Sequence, residues 1–247
     1  FICMSNYNTE TKEYDTKVLN DRKEQILLGY TNVQAIPTET TADGVPFEKT
    51  VLKYKKDGKF GLINRDGKEI TEPIYDDISA VKYKEGMLLV MQDGKYGVIN
   101  MNGVEVIPPE YDTISVDNYY NVDSKYQKTG FIVCKKEENG YRYGYINYKG
   151  DIVLPVEYTD ITRVTETEDD DHIYLVAYQD GQAGLLRDKK KILNFEYETI
   201  EYNAYNDVYK IQRNGKQGVV DKDGNIKIEP QYTTLSFAGI YLSVTGE

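Results

Sequence analysis

The chain has 247 residues, with 41 acidic against 30 basic side chains and a formal net charge of −11; that balance argues against a nucleic-acid backbone as partner, because phosphates would be repelled and no Lys/Arg stripe compensates. Two cysteines, Cys3 and Cys134, are too few for a disulfide framework and sit in no metal-ligand spacing, and no apolar run is long enough for a membrane span. The 24 tyrosines and 20 glycines, with short Val/Ile/Leu/Tyr runs separated by Asp-Gly or Asn-Gly, point to an all-β fold.

At the start, Phe1-Ile2-Cys3-Met4 reads as the apolar tail of an export segment, followed by polar Ser5-Asn6-Tyr7-Asn8. Bulky Ile2 disfavours lipid attachment at Cys3. Residues 11–28 are charged, with Tyr14, Val18, Ile26 and Leu27 at loosely helical intervals, and predict a short amphipathic helix. Residues 29–44 turn to Thr, Pro and Ala, which predicts an extended linker or an edge strand on the first repeat. Residues 1–50 are expected to cap a repeat domain that fills 51–247.

From Val51 onward one pattern recurs five times. Its anchor glycines Gly61, Gly97, Gly144, Gly184 and Gly218 lie 36, 47, 40 and 34 residues apart, the period of stacked supersecondary units. Each glycine is followed by a tyrosine (Tyr75, Tyr111, Tyr158, Tyr197, Tyr232) after 14 residues, or 13 in the fourth copy. The inside of the unit is therefore held tightly, and length varies between units, where loops sit.

Within a copy, an apolar strand such as Met87-Leu88-Leu89-Val90-Met91 leads into a hairpin turn at Asp57-Gly58, Asp93-Gly94, Asn139-Gly140, Asp180-Gly181 or Asn214-Gly215. A second strand carries the glycine, and a turn opened by Asn64, Asn100, Asn147 or Asp221 and closed by Gly67, Gly103, Gly150 or Gly224 leads to a third. That strand is expected to stop near Pro73, Pro109, Pro155 or Pro230. A fourth short strand follows, as in Tyr111-Asp112-Thr113-Ile114. Both faces of the second strand are apolar, so both should be covered. The anchor glycine leaves room for a large side chain, and the recurrent tyrosine is the candidate. The fourth copy has Lys190 in place of the turn glycine and Asn194-Phe195 in place of the proline, which predicts a distorted or mobile second hairpin. Ile240-Tyr241-Leu242-Ser243-Val244 matches the first strand of a sixth copy, placed to cap the array or close a ring.

These copies resemble the WG-containing repeat, also called the KWG repeat, found in tandem in many bacterial proteins, often exported ones. The resemblance covers roughly residues 51–244. Phe60, Tyr96, Tyr143, Ala183 and Gln217 stand where that family has tryptophan. It implies an all-β repeat array, propeller-like or an open curved solenoid, with a binding or scaffolding role; it brings no catalytic or cofactor residues.

Glu166-Thr167-Glu168-Asp169-Asp170-Asp171-His172 is the concentrated charge run. It lacks the alternating spacing and glycine of a Ca²⁺ loop and reads as a solvated insertion. His172 is the sole histidine, which excludes a His-based metal cluster. No carboxylate pair is singled out for hydrolysis. Tyr119, Tyr120, Tyr126, Tyr141, Tyr148, Tyr202 and Tyr205 fall in inter-unit loops or turns, where an aromatic face with a polar tip suits a wet interface. The expectation is a non-catalytic module without cofactor, outside the cell or on its surface. Its partner would be a protein or a cell-surface glycan; the rival is a secreted carbohydrate-binding domain or enzyme, and the alternative location is the cytoplasm.

Overall fold

The computed structural model describes residues 2–37, 50–81, 86–117, 130–164, 172–239 and 241–246. The described residues are all-β, with antiparallel strands and no helix. They group into two compact units, residues 1–116 and 117–247.

The first unit opens with β1 (Ile2–Asn8), β2 (Glu13–Leu19) and β3 (Gln25–Ile26), paired in that order. The amphipathic helix expected over residues 11–28 is thus overturned: Glu13–Leu19 and Gln25–Ile26 are strands. Val18 is buried beside Val33, Leu52, Tyr54 and Ile63, with Ile26 and Leu27 packed against that cluster, while Tyr14 is 48% exposed; nonlocal pairing overrides a weak helical period. The turn after β2 explains the error. Asn20 Oδ1 accepts bonds from the Arg22 and Glu24 amides, both at 2.9 Å, the arrangement that Asn64 makes with Asp66 and Lys68 and Asn100 with Asn102 and Val104. Residues 2–31 are therefore a degenerate further copy of the repeat, with Lys17 at the glycine position and Lys23, at φ 65°, at the turn glycine.

Next come β4 (Val33–Gln34), β5 (Val51–Lys56) and β6 (Lys59–Asn64). Val33 pairs with Tyr54, so residues 29–44 do supply the expected edge strand. β7 (Asp77–Ala80), β8 (Met87–Gln92), β9 (Lys95–Asn100) and β10 (Glu105–Tyr111) form a complete sheet in the order β10-β9-β8-β7. β11 (Thr113–Val116) ends the unit. The second unit holds β12 (Gly130–Glu137), β13 (Gly140–Asn147) and β14 (Ile152–Tyr158), then β15 (Asp160–Val164), β16 (Tyr174–Gln179), β17 (Gln182–Arg187) and β18 (Lys190–Tyr197). It continues with β19 (Thr199–Asn203), β20 (Val208–Arg213), β21 (Lys216–Asp221) and β22 (Ile226–Tyr232), and closes with a hairpin of β23 (Thr234–Ala238) and β24 (Tyr241–Thr245).

The sheet is offset by one strand from the sequence repeat. The short strand that follows each tyrosine pairs forward, with the first strand of the next copy, as Ile78 does with Val90 and Ile200 with Ile211. Within each unit, a copy thereby donates an edge to its successor.

Around Pro73 the third segment makes only isolated bridges, Ile63 with Glu69 and Phe60 with Tyr75, but three other third strands do not stop at proline. β10, β14 and β22 run through Pro109, Pro155 and Pro230, and the ladder shifts register there. Ile107 pairs with Val98 and Tyr111 with Tyr96, so Pro108, Pro109 and Glu110 all face Gly97. A bulge leaves amides out of the ladder, and proline has none to lose. At Gly97, Gly144 and Gly218 this bulge, not the recurrent tyrosine, fills the space over the glycine, whereas a large side chain does lie there at Gly61, where the Tyr54 ring is 2.7 Å from the Cβ position, and at Gly184, where the Phe195 ring is at 2.8 Å. A Cβ on Gly97 would lie 2.7 Å from the Ile107 oxygen and from the Pro109 nitrogen, and one on Gly218 would lie 2.5 Å from the Ile228 oxygen. The tyrosines instead pair across the ladder with the residue before the glycine: Tyr111 with Tyr96, Tyr158 with Tyr143, Tyr197 with Ala183.

The second hairpin of the fourth copy is tight rather than distorted. Arg187 pairs with Lys190 around Asp188-Lys189, with Asp188 at φ 52°. The missing residue converts a three-residue loop, such as residues 101–103 between Asn100 and Val104, into a two-residue one, and the positive φ of Asp188 suits the strand twist. First hairpins turn as expected at Asp57, Asp93, Asp180 and Asn214, all at φ 50–53°. In β12/β13 Glu137 pairs with Gly140, so the loop there is Glu138-Asn139.

As expected, the sheets are covered on both faces. Leu52, Tyr54 and Ile63 belong to one cluster and Val51 and Leu62 to another within the first unit. In the second, Leu175, Ala177 and Leu186 face one cluster and Tyr174, Val176 and Leu185 the other.

Candidate functional site

Three groups of polar side chains stand out among the described residues. In the second unit, Asp117 Oδ2 accepts bonds from the Tyr145 hydroxyl at 2.8 Å and from Arg163 Nη1 at 2.9 Å. The ion pair is nearly enclosed, with each side chain 10% exposed. Burial, and then the Asp117 charge, pushes the Tyr145 phenol well above the usual tyrosine range. The Asp117 amide also donates to the Gly130 carbonyl at 2.9 Å. The group thus fastens the start of β12 to β13 and β15.

In the first unit, Glu69 accepts from two phenols, Tyr30 at 2.7 Å and Tyr54 at 2.9 Å. The bonds from Tyr30 and then Tyr54 hold Glu69 below the usual carboxylate range, and the bond to Glu69 is the main reason that Tyr30 rises to about 12. The two rings meet edge to face with centroids 5.3 Å apart, tying the degenerate N-terminal copy to the first full repeat. Nearby, Lys53 Nζ donates to Asp77 Oδ1 at 2.7 Å and to the Ile78 carbonyl at 2.9 Å, and lies 4.7 Å from the Phe60 ring centroid. Asp77 also lines a shallow cleft with Ser79, Leu89, Val90, Met91 and Tyr96, whose volume of about 50 Å³ is far below the roughly 300–1,000 Å³ of small-molecule sites.

Polar residues that recur with the repeat make contacts inside it. Lys59 reaches Asp76 at 2.6 Å and Lys95 reaches Asp112 at 2.7 Å, each bridging the second strand to the residue after the tyrosine. Asp221 shows what the turn position can do. Burial alone would raise its pKa, but Lys227, the Asn225 side chain, and the Asn225 and Asp223 amides together hold it well below the usual carboxylate range. These interactions orient strands; none sets a nucleophile beside a base.

The residues singled out in the sequence separate. Within 166–172 only His172 is among the described residues; its Nδ1 lies 2.6 Å from Asp188 Oδ2, at the tight hairpin of the fourth copy. Among the described residues no three His, Cys, Asp or Glu side chains converge in a way that could hold a metal ion. Neither Cys3 nor Cys134 is in a disulfide, and burial pushes the Cys3 thiol up. Tyr119, Tyr120 and Tyr126 lie outside the described residues. Tyr148 packs edge to face on Phe131, with centroids 5.1 Å apart, and Tyr202 contacts Tyr209 and donates to Asp207 at 2.9 Å. Both belong to the fold. Tyr141 and Tyr205 are 51% and 76% exposed; Tyr141 lies in β13, beside the hairpin tip, and not in a loop between units. Sequence reasoning missed the Tyr145–Asp117–Arg163 and Tyr30–Tyr54–Glu69 groups, since their members are 15 to 46 residues apart and meet only when strands pair.

The family model of the WG containing repeat matches residues 60–96, 96–121, 143–166 and 218–238. The fourth copy lies outside these matches although its sheet has the same register as its neighbours. Among solved structures, "Crystal structure of the eukaryotic initiation factor" is 10% identical at a TM-score of 0.39, and the match covers 94% of this chain and 65% of that one. "AfRom2 CNH domain" is also 10% identical at a TM-score of 0.33, with 85% and 77% covered. At these scores neither likeness bears on fold or function. Comparison with curated proteins gives no match.

Proposed function

We propose, on the premise that this chain is a WG-repeat protein, that it is a non-catalytic binding or scaffold module acting outside the cell or on its surface. Its partner is a protein or a cell-surface glycan. The observation that carries the reading is the division of labour among side chains. Recurrent polar residues are spent on turns and strand clamps, whereas Tyr141 and Tyr205 stand 51% and 76% exposed. An aromatic ring with a hydroxyl tip offers large contact area at low entropic cost.

A photo-crosslinking residue placed at position 205 or 141 tests this reading when the chain is incubated with intact producing cells. A discrete adduct is expected from at least one position, together with no release of reducing sugar from a polysaccharide panel. Turnover would replace the scaffold reading with the carbohydrate-active one, and failure of both positions to form an adduct would remove the tyrosine contact face.

A further inference from the structure

Each bulged strand is the last of its sheet: among the described residues β10 pairs only with β9, β14 with β13, β18 with β17 and β22 with β21. Such an edge offers backbone donors and acceptors to any extended chain, and natural edges are blunted by proline, bulges and charge. Three of the four follow that rule. β10 carries Pro108 and Pro109 in its bulge, β14 carries Pro155 and β22 carries Pro230, with exposed Glu110, Glu157 and Glu229 beside them.

β18 departs from the rule first in its bulge. Leu193 pairs with Leu185 and Tyr197 with Ala183, so Asn194, Phe195 and Glu196 lie between the paired positions. Asn194 stands at the place of Pro108 and Pro155, and Phe195 at that of Pro109 and Pro230. Both keep an amide donor that proline would remove. The second departure is charge. Lys189, Lys190 and Lys191 run from the hairpin tip into β18, all exposed. The recurrent lysines meet carboxylates, as Lys59 meets Asp76 and Lys95 meets Asp112, but the side chains of these three make no ion pair or hydrogen bond among the described residues. The acidic groups closest along the strand are already engaged: Asp188 holds His172 at 2.6 Å, and Glu196 lies 3.6 Å from Arg213. Lys191 Nζ lies 5.8 Å from the Phe195 ring centroid, which sets a cation beside the bulge. An uncompensated positive strip thus runs along one edge of a chain whose net charge is −11, and screening over about 8 Å at physiological salt keeps distant carboxylates from cancelling it.

We infer that the outer edge of β18 docks an extended acidic segment of a protein partner, whose carboxylates meet Lys189, Lys190 and Lys191 and whose carbonyls accept from the proline-free bulge. A peptide is the occupant because each feature answers to a different part of it, the cations to acidic side chains and the backbone donors to a main chain. A polyanionic glycan has the charge without the regularly spaced carbonyls. This surface is separate from the tyrosine contact face, since Tyr141 lies in β13 and Tyr205 between β19 and β20. Failure at β18 would leave that face standing.

The probe is a fluorescent synthetic peptide that alternates glutamate with threonine, followed by anisotropy. It should bind the parent chain in the micromolar range, weaken as salt rises, and bind about tenfold or more weakly when its glutamates are replaced by glutamine. Lys189→Gln/Lys190→Gln/Lys191→Gln alters exposed side chains alone and should lower affinity by about tenfold or more. Asn194→Pro keeps all three lysines and installs what β10 and β14 already hold at that place, so the strand tolerates it; affinity should fall about threefold or more. Asn194→Ala retains the amide and should bind like the parent, and urea unfolding of each variant shows that it is folded. A parent that does not bind the peptide, a triple variant that binds it as tightly, or a folded Asn194→Pro variant with full affinity would each overturn the inference. Tighter binding of polygalacturonate than of the peptide would replace the protein partner with an acidic glycan.

Discussion

Replacing Gly97 with valine would drive a side chain into the backbone of the bulged strand, where the Ile107 oxygen and Pro109 nitrogen each lie 2.7 Å from the Cβ position. Ladder atoms cannot step aside as a side chain can, so Gly97→Val should cost about 1–3 kcal/mol or more in urea unfolding. Gly184→Ala should cost less than Gly97→Ala. Its nearest neighbours are the Phe195 ring carbons at 2.8 Å, and the ring can turn, although the Leu193 oxygen at 3.1 Å still limits the gain. Glu69 gives a pH signature at the same scale. Folding lowers its pKa, so its contribution to stability is complete above the ordinary value near ~4 and is lost as pH falls through the lower folded value. The stability gap between the parent and a Tyr30→Phe/Tyr54→Phe double variant should therefore narrow as pH drops through that window, measured by urea unfolding at successive pH values.

Among elements, the Asx-opened turn is the unit most often reused, and its poorest version is the most informative. Lys23 holds φ 65° where Gly67, Gly103, Gly150 and Gly224 hold 75–88°. A non-glycine residue in that region costs roughly 1 kcal/mol, partly offset by the entropy that glycine loses on folding. Lys23→Gly should raise the urea midpoint, by a few tenths to about 1 kcal/mol in stability. Asn100→Ala should lower it by about 1 kcal/mol, since two amides lose their acceptor. The β23/β24 hairpin is the least supported element, as two strands with half-exposed Leu242 and Val244 are marginal in water. Its amides should exchange with deuterium well before those of β16 and β17, which lie inside a four-stranded sheet.

For the whole molecule, the forward pairing of the short strands within each unit matters most, because it makes a sheet such as β7-β8-β9-β10 or β19-β20-β21-β22 a joint product of two successive copies. Local order in one copy then depends on the next, the nearest-neighbour logic of repeat proteins. The sequence by itself determined the all-β class, the glycine-to-tyrosine spacing, the turns at Asn64, Asn100, Asn147 and Asp221, and the two-sided burial of the glycine strands, because these are short-range patterns of side-chain size and backbone angle. Only the tertiary structure decided that Ile78 pairs with Val90 of the following copy, that a proline bulge rather than a tyrosine lies over Gly97, that residues 13–19 form a strand, and that Asp117, Tyr145 and Arg163 meet. Each of these depends on which strands lie side by side, and pairing is set by the fit of faces tens of residues apart, where a linear period carries no signal.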